Sequence, residues 1–105
     1  MKKVFVIDEK DNVGTNVLQA ISKGEQVGTN GRISDIVVTA NQDIPYGHKL
    51  ALKPIAKGET VWKYGLSIGS ALVDIQPGDH VHVHNVESNR GRGDLVSSSS
   101  AIARE

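Results

Sequence analysis

The pattern Ile-x-x-Gly-x-x-(Val/Leu) occurs four times in this chain and limits its fold more than any other feature. The copies are Ile21-Ser22-Lys23-Gly24-Glu25-Gln26-Val27, Ile44-Pro45-Tyr46-Gly47-His48-Lys49-Leu50, Ile55-Ala56-Lys57-Gly58-Glu59-Thr60-Val61 and Ile75-Gln76-Pro77-Gly78-Asp79-His80-Val81. A glycine at the fourth position supplies the positive φ of a tight turn, and a proline before it presets the turn in two copies. Each copy reads as a strand end, a turn and a strand start. The copies are irregularly spaced, which argues against a solenoid, whose repeats recur at a fixed period.

The segments between the copies add more strands. Residues 3–7 are β-branched and aromatic and are closed by the polar turn Asp8-Glu9-Lys10-Asp11. Residues 17–21 fit either period and are assigned to a strand. Gly28-Thr29-Asn30-Gly31 reads as an exposed hairpin loop leading into the β-rich stretch 32–40. Gly65 and Gly69 mark a bulge or a sharp bend within 61–71. From Glu87 the chain turns glycine-rich and charged, then serine-rich, and no hydrophobic period survives. The expected division is a compact domain over 1–88 and a flexible tail over 89–105. Many short strands, glycine turns and little helix predict an all-β, strongly bent architecture.

Length and charge narrow the function classes. With 105 residues the chain has room for one domain and one core. One Trp, one Phe and two Tyr leave Ile, Val, Leu and Ala to fill that core. So thin a core gains from docking on a partner, and exposed strand edges make a homodimer the expectation for the isolated chain. Twelve basic residues balance twelve acidic ones, so no strong field favours nucleic acid or an anionic membrane. Cysteine is absent, which excludes disulfides and any closed cysteine-ligated zinc site. The first apolar run stops at Asp8, too short for a membrane span or signal peptide, and a cytoplasmic protein is expected.

The best site candidate is Asp74 to Asn85. After the turn Gln76-Pro77-Gly78-Asp79, His80, His82 and His84 alternate with Val81 and Val83. In a strand this places three imidazoles on one face and two valines on the other. Neutral imidazole is the commonest protein ligand for a transition metal. The same alternation equally describes the polar face of a half-buried strand. A metal site here would be open, finished by another chain.

Asp43-Ile-Pro-Tyr-Gly-His-Lys49, Ile55-Ala-Lys-Gly-Glu59, Lys63-Tyr-Gly-Leu-Ser-Ile-Gly69 and His82-Val-His-Asn85 together resemble the SAF-type domain at the N-terminus of altronate and galactarate dehydratases. Asp11-Asn12-Val13 also matches, and the resemblance covers roughly residues 5 to 94. It implies a β-clip fold and membership in a metal-dependent hydro-lyase acting on a sugar acid, with most of the active site on a large catalytic subunit. The chain is similar to the stand-alone small subunit of split altronate dehydratases or of sulfolactate sulfo-lyase.

That resemblance implies a divalent metal, Fe2+ with Mn2+ as the alternative. His48, His82 and His84 are the expected catalytic residues, and His82 and His84 the expected metal ligands. Lys49, Lys63 and Asn85 are the expected substrate contacts. A non-catalytic module that binds a carbohydrate or carboxylate, or an adaptor for the large subunit, is the alternative from a different class. Arg90 and Arg92, in the tail, are expected to dock on the partner.

Overall fold

The computed structural model describes residues 1–89. The strands among them are β1 (Lys2–Val6), β2 (Val13–Thr15), β3 (Gln26–Gly31), β4 (Val37–Thr39), β5 (Lys49–Ala51), β6 (Thr60–Lys63), β7 (Leu66–Ala71), β8 (His80–Val81) and β9 (Val86–Ser88). Six form one sheet in the order β4-β3-β1-β2-β5-β8, and three form a second in the order β6-β7-β9. The only parallel pairing among these strands is β1 with β3. The all-β, bent architecture is therefore as expected. From residue 90 the tail, with Arg90 and Arg92, lies outside the described residues.

The four glycine turns associate in pairs. Ile21 and Ile44 exchange backbone hydrogen bonds of 2.9 and 2.8 Å, and Ile55 and Ile75 do the same at the same distances. Each motif glycine donates its N–H to a distant carbonyl: Gly24 to Ala40, Gly47 to Asn16, Gly58 to Ala71 and Gly78 to Ala51. Each of those four acceptors in turn donates its own N–H to the carbonyl of the residue after the glycine, namely Glu25, His48, Glu59 and Asp79. One backbone device is thus used four times, with the glycines held at φ of 85 to 93°.

The side chain after the glycine closes three of these turns. Glu25, Glu59 and Asp79 accept hydrogen bonds from the N–H of Ser22, Ala56 and Gln76 at 2.7 to 2.8 Å. Such local side-chain to backbone bonds fix turns. In the second copy the corresponding residue is Pro45, which has no N–H, and the place of the acid is taken by His48.

Two apolar clusters sit behind the paired turns. Ile21 and Ile44 lie with Val4, Val6, Val27, Ala40, Leu50 and Leu52. Ile55 and Ile75 lie with Val13, Ala51, Val61, Ala71 and Val81. Each fully buried isoleucine contributes roughly 1.5–3 kcal/mol of transfer free energy. Asp11 and Asn12 tie the two sheets together. The buried Asp11 carboxylate accepts from the N–H of Ile7, Asp8 and Gly65, and Asn12 bonds the backbone of Thr60 and Trp62 through both ends of its amide.

Two local expectations are overturned. Gly28 to Gly31 is the middle and end of β3, not a loop, because it pairs in parallel with β1 from Lys3↔Gly28 to Val6↔Gly31. Residues 17–21 do not form a strand. Only Ile21 finds a bridge partner, and residues 17–20 are exposed. The expected bulge is present: the register between β6 and β7 slips between Val61↔Gly69 and Trp62↔Ser67. Tyr64 and Gly65, both at positive φ, form the two-residue turn of that hairpin.

Candidate functional site

The histidines meet because of one strand register. β5 and β8 run antiparallel with Lys49 opposite Val81 and Leu50 opposite His80. Residue 48, just before β5, therefore faces residue 82, just after β8. Directly opposed side chains on one face of an antiparallel pair are in contact. The rings of His48 and His82 stack accordingly, with centroids 3.9 Å apart and planes at 9°. His80 leads His82 by two residues, its ring 5.8 Å away and nearly parallel at 10°. His48 Nδ1 and His80 Nε2 are hydrogen-bonded at 2.8 Å.

β8 is shorter than the alternating pattern predicts. It ends at Val81, and residues 82 to 85 form a turn closed by the Asn85 N–H donating to the His82 carbonyl. Val83 consequently points to solvent, 79% exposed, where the strand reading had it opposite the imidazoles on an apolar face. His84 is exposed as well, its ring tilted 35° and 5.1 Å from that of His80. Ligand nitrogens of His48, His80 and His82 all lie within 4.8 Å of one another, and His84 is outside this group.

The backbone around the rings is held by side-chain amides. Asn85 Oδ1 accepts from the His82 N–H and its Nδ2 donates to the His80 carbonyl, so both amide ends of this buried residue shape the histidine turn. Gln42 Oε1 accepts from the His80 N–H. Buried Asn16 donates its side-chain amide to the carbonyls of Ile44 and Pro45, which fixes the turn that carries His48. Asn16 has no role among the sequence expectations, and His80 stands there as one of three alternating imidazoles without an assigned catalytic or ligand role. The signal for His80 is its place as the second-last residue of the fourth motif copy, on the strand that follows the turn.

Beside the stack lies a cavity of about 270 Å³. Lys49, Lys63, His82 and Ser88 give it polar groups, and Ile68, Val83 and Val86 give it apolar walls. Lys49 and Lys63 thus converge on one hollow next to His82. Burial, then repulsion from Lys63, lowers the Lys49 ammonium from its usual range. Two like charges at one cavity favour an anion between them.

Burial also favours the neutral form of His80 and His82. It lowers His80 from 6.5 to about 4, with smaller contributions from His84, His48, His82 and Lys49. His82 is lowered too, by burial first and then by His48, Lys49 and His84. Unfolded histidine titrates near pH 6.5, so between about pH 6.5 and 4 the unfolded chain binds protons that the folded His80 refuses. Stability therefore falls on acidification through that window. We expect the melting temperature to drop between pH 7.5 and pH 5, and the drop to be smaller in His80→Gln. Equal drops in the two proteins would remove His80 as the cause.

The chain is thus a bent all-β domain that presents stacked imidazoles beside two lysines. The model of the family described as altronate/galactarate dehydratase SAF domain matches residues 2–89, and the chain belongs to that family. It is 39% identical over 89 residues to altronate dehydratase of Bacillus subtilis (strain 168), covering 85% of this chain and 17% of that protein. Altronate dehydratase of Escherichia coli (strain K12) is 53% identical over 62 residues, which is 59% of this chain and 12% of that one. The chain therefore spans less than a fifth of these dehydratases. It is 38% identical over 91 residues to (2R)-sulfolactate sulfo-lyase subunit alpha of Chromohalobacter salexigens, covering 82% of this chain and 95% of that subunit. Among the described residues no helix is long and apolar enough to cross a membrane.

Proposed function

We propose that the chain is the small subunit of a metal-dependent hydro-lyase that dehydrates a sugar acid such as altronate or galactarate, in a cytoplasmic setting, with its active site completed by a large catalytic subunit. The observation that carries this reading is the convergence of Lys49, Lys63 and His82 on one cavity backed by the His48 and His80 rings. Removing the proton beside a carboxylate and expelling a β-hydroxyl needs a base, an acid and a cation near the carboxylate. His82, held neutral at the cavity wall, accepts the proton from carbon with His48 stacked behind it, that proton leaves with the expelled hydroxyl as water, and exposed His84 reaches toward the partner. The Lys49 and Lys63 ammonium groups neutralise the carboxylate, and their partial desolvation strengthens that attraction. Asn85 acts through the histidine turn, whose backbone it holds.

The implied ion, Fe2+ with Mn2+ as the alternative, fits the residues present. His82 Nδ1 is buried and has no hydrogen-bond partner, and its imidazole is held neutral, the form that ligates metals. When bound, such an ion supplies Lewis-acid stabilisation of negative charge developing on substrate oxygens.

A second reading has a specific observation behind it. The chain covers nearly all of a sulfolactate sulfo-lyase alpha subunit, so carbon–sulfur cleavage by the same small-plus-large arrangement is the alternative reaction. Co-expression with the large-subunit candidate encoded beside it, followed by assay on altronate, galactarate and sulfolactate with iron or manganese, decides between them. Turnover should need both chains and should fall by at least about 100-fold in His82→Ala with the complex intact, the loss typical of removing a general acid or base. Full activity of the large chain alone would reduce this domain to a binding or adaptor module.

A further inference from the structure

We infer that His48, His80 and His82 form a three-imidazole site that takes up a divalent later first-row ion, Co2+ or Zn2+ in type, within this chain alone. The inference deepens the proposed function, on which it rests for the use of the ion, while its geometry stands on the three rings. A tetrahedral ion bound at about 2.1 Å by each nitrogen holds its ligands roughly 3.4 Å apart. Here one pair is at 2.8 Å and all three nitrogens fall within 4.8 Å; the rings lie nearly parallel, at 9 to 13°, so they turn about their side-chain bonds to aim at one ion. The rings come from two strands locked in register, and Gln42 and Asn85 fix the backbone of two of them. The backbone of the site is thus held in advance, and what changes on binding is the orientation of the rings.

A third feature points to a ligand. His82 Nδ1 is buried and partnerless, a state that costs free energy unless something occupies it. Three protein nitrogens leave at least one coordination position open, the arrangement of a catalytic rather than a structural centre. Imidazole ligands with no carboxylate among them place Co2+ and Zn2+ above Mn2+ and Fe2+ in affinity. His84 stands outside the group and is not a ligand in this arrangement. Lys49, beside the rings, opposes a bare cation and keeps the affinity modest.

The test uses the chain by itself and Co2+ as probe. Titration should produce the intense visible absorption of low-coordinate cobalt, abolished by Zn2+ in competition, and histidine ring nitrogen spectra with Zn2+ should shift three imidazoles and leave the fourth. His80→Gln should weaken cobalt binding by more than about tenfold, since even supporting residues of a metal site are worth 10–100-fold. His84→Gln should leave it within about twofold. If His80→Gln unfolds, the ring spectra of the unaltered chain still identify the ligands. No visible absorption with millimolar Co2+, or equal shifts of all four rings, overturns the site. A lyase complex that turns over with no ion bound to this chain would sink the site and leave the proposed function standing. Three-ring binding in a chain whose complex lacks lyase activity would do the reverse.

Discussion

Gly78→Ala should cost the domain at least twice the stability that Gly58→Ala costs. Both glycines occupy the same place in the repeated turn, at φ of 92 and 89°. A left-handed backbone penalises alanine by about 1–2 kcal/mol at either position. Around Gly58 nothing lies within 4 Å of an added Cβ, so that penalty is the whole effect. At Gly78 the added Cβ runs into the Thr39 carbonyl oxygen, which is backbone and cannot swing away. Overpacking of this kind adds about 1–3 kcal/mol. The Gly78 carbonyl also accepts from Asn41, and its N–H donates to Ala51. A shift there moves the start of β8 and with it His80. Urea unfolding midpoints at unchanged m-values read the difference. Equal losses in the two variants would show that the fourth turn is not pressed against residues 39–41.

Asn85→Ala should be the most damaging polar substitution at the site. It removes the acceptor of the His82 N–H at 3.0 Å and the donor to the His80 carbonyl at 2.9 Å. Leaving a buried backbone group unpaired costs about 1–3 kcal/mol each, so a loss of roughly 2–4 kcal/mol is expected once water reaches part of the opened turn. The two histidines should also lose their common orientation, and their ring resonances should broaden or move. Asn85→Asp, which keeps an acceptor for His82 and loses the donor to His80, should fall between the wild type and Asn85→Ala. An Asn85→Ala protein with wild-type stability and unmoved ring resonances would contradict the role given to this amide.

The repeated turn was the most legible part of the chain. Its isoleucines are all buried and its glycines all have positive φ, because both demands are local and leave a residue-level mark. The pairing of the copies, first with second and third with fourth, was not legible, since nothing in one heptapeptide names its distant partner. Gly28 to Gly31 misled for the same reason. Composition there favours a loop, and a parallel neighbour 25 residues away in sequence, with Lys3 opposite Gly28, overrides it. At the site, the histidines announced themselves but their grouping did not. His48 meets His80 and His82 only through the β5–β8 register, and His84 is carried away by a turn that Asn85 closes.

Pro45 has a consequence for how this scaffold can be altered. At three corners folding dictates an acid after the glycine, because a neighbouring N–H must be answered. At the remaining corner, that of the second copy, proline removes the demand, so the turn does not require an acid at position 48. The domain thereby carries one socket, aimed at the cavity side of the sheet, in which new chemistry can be tried while the framework stays as it is.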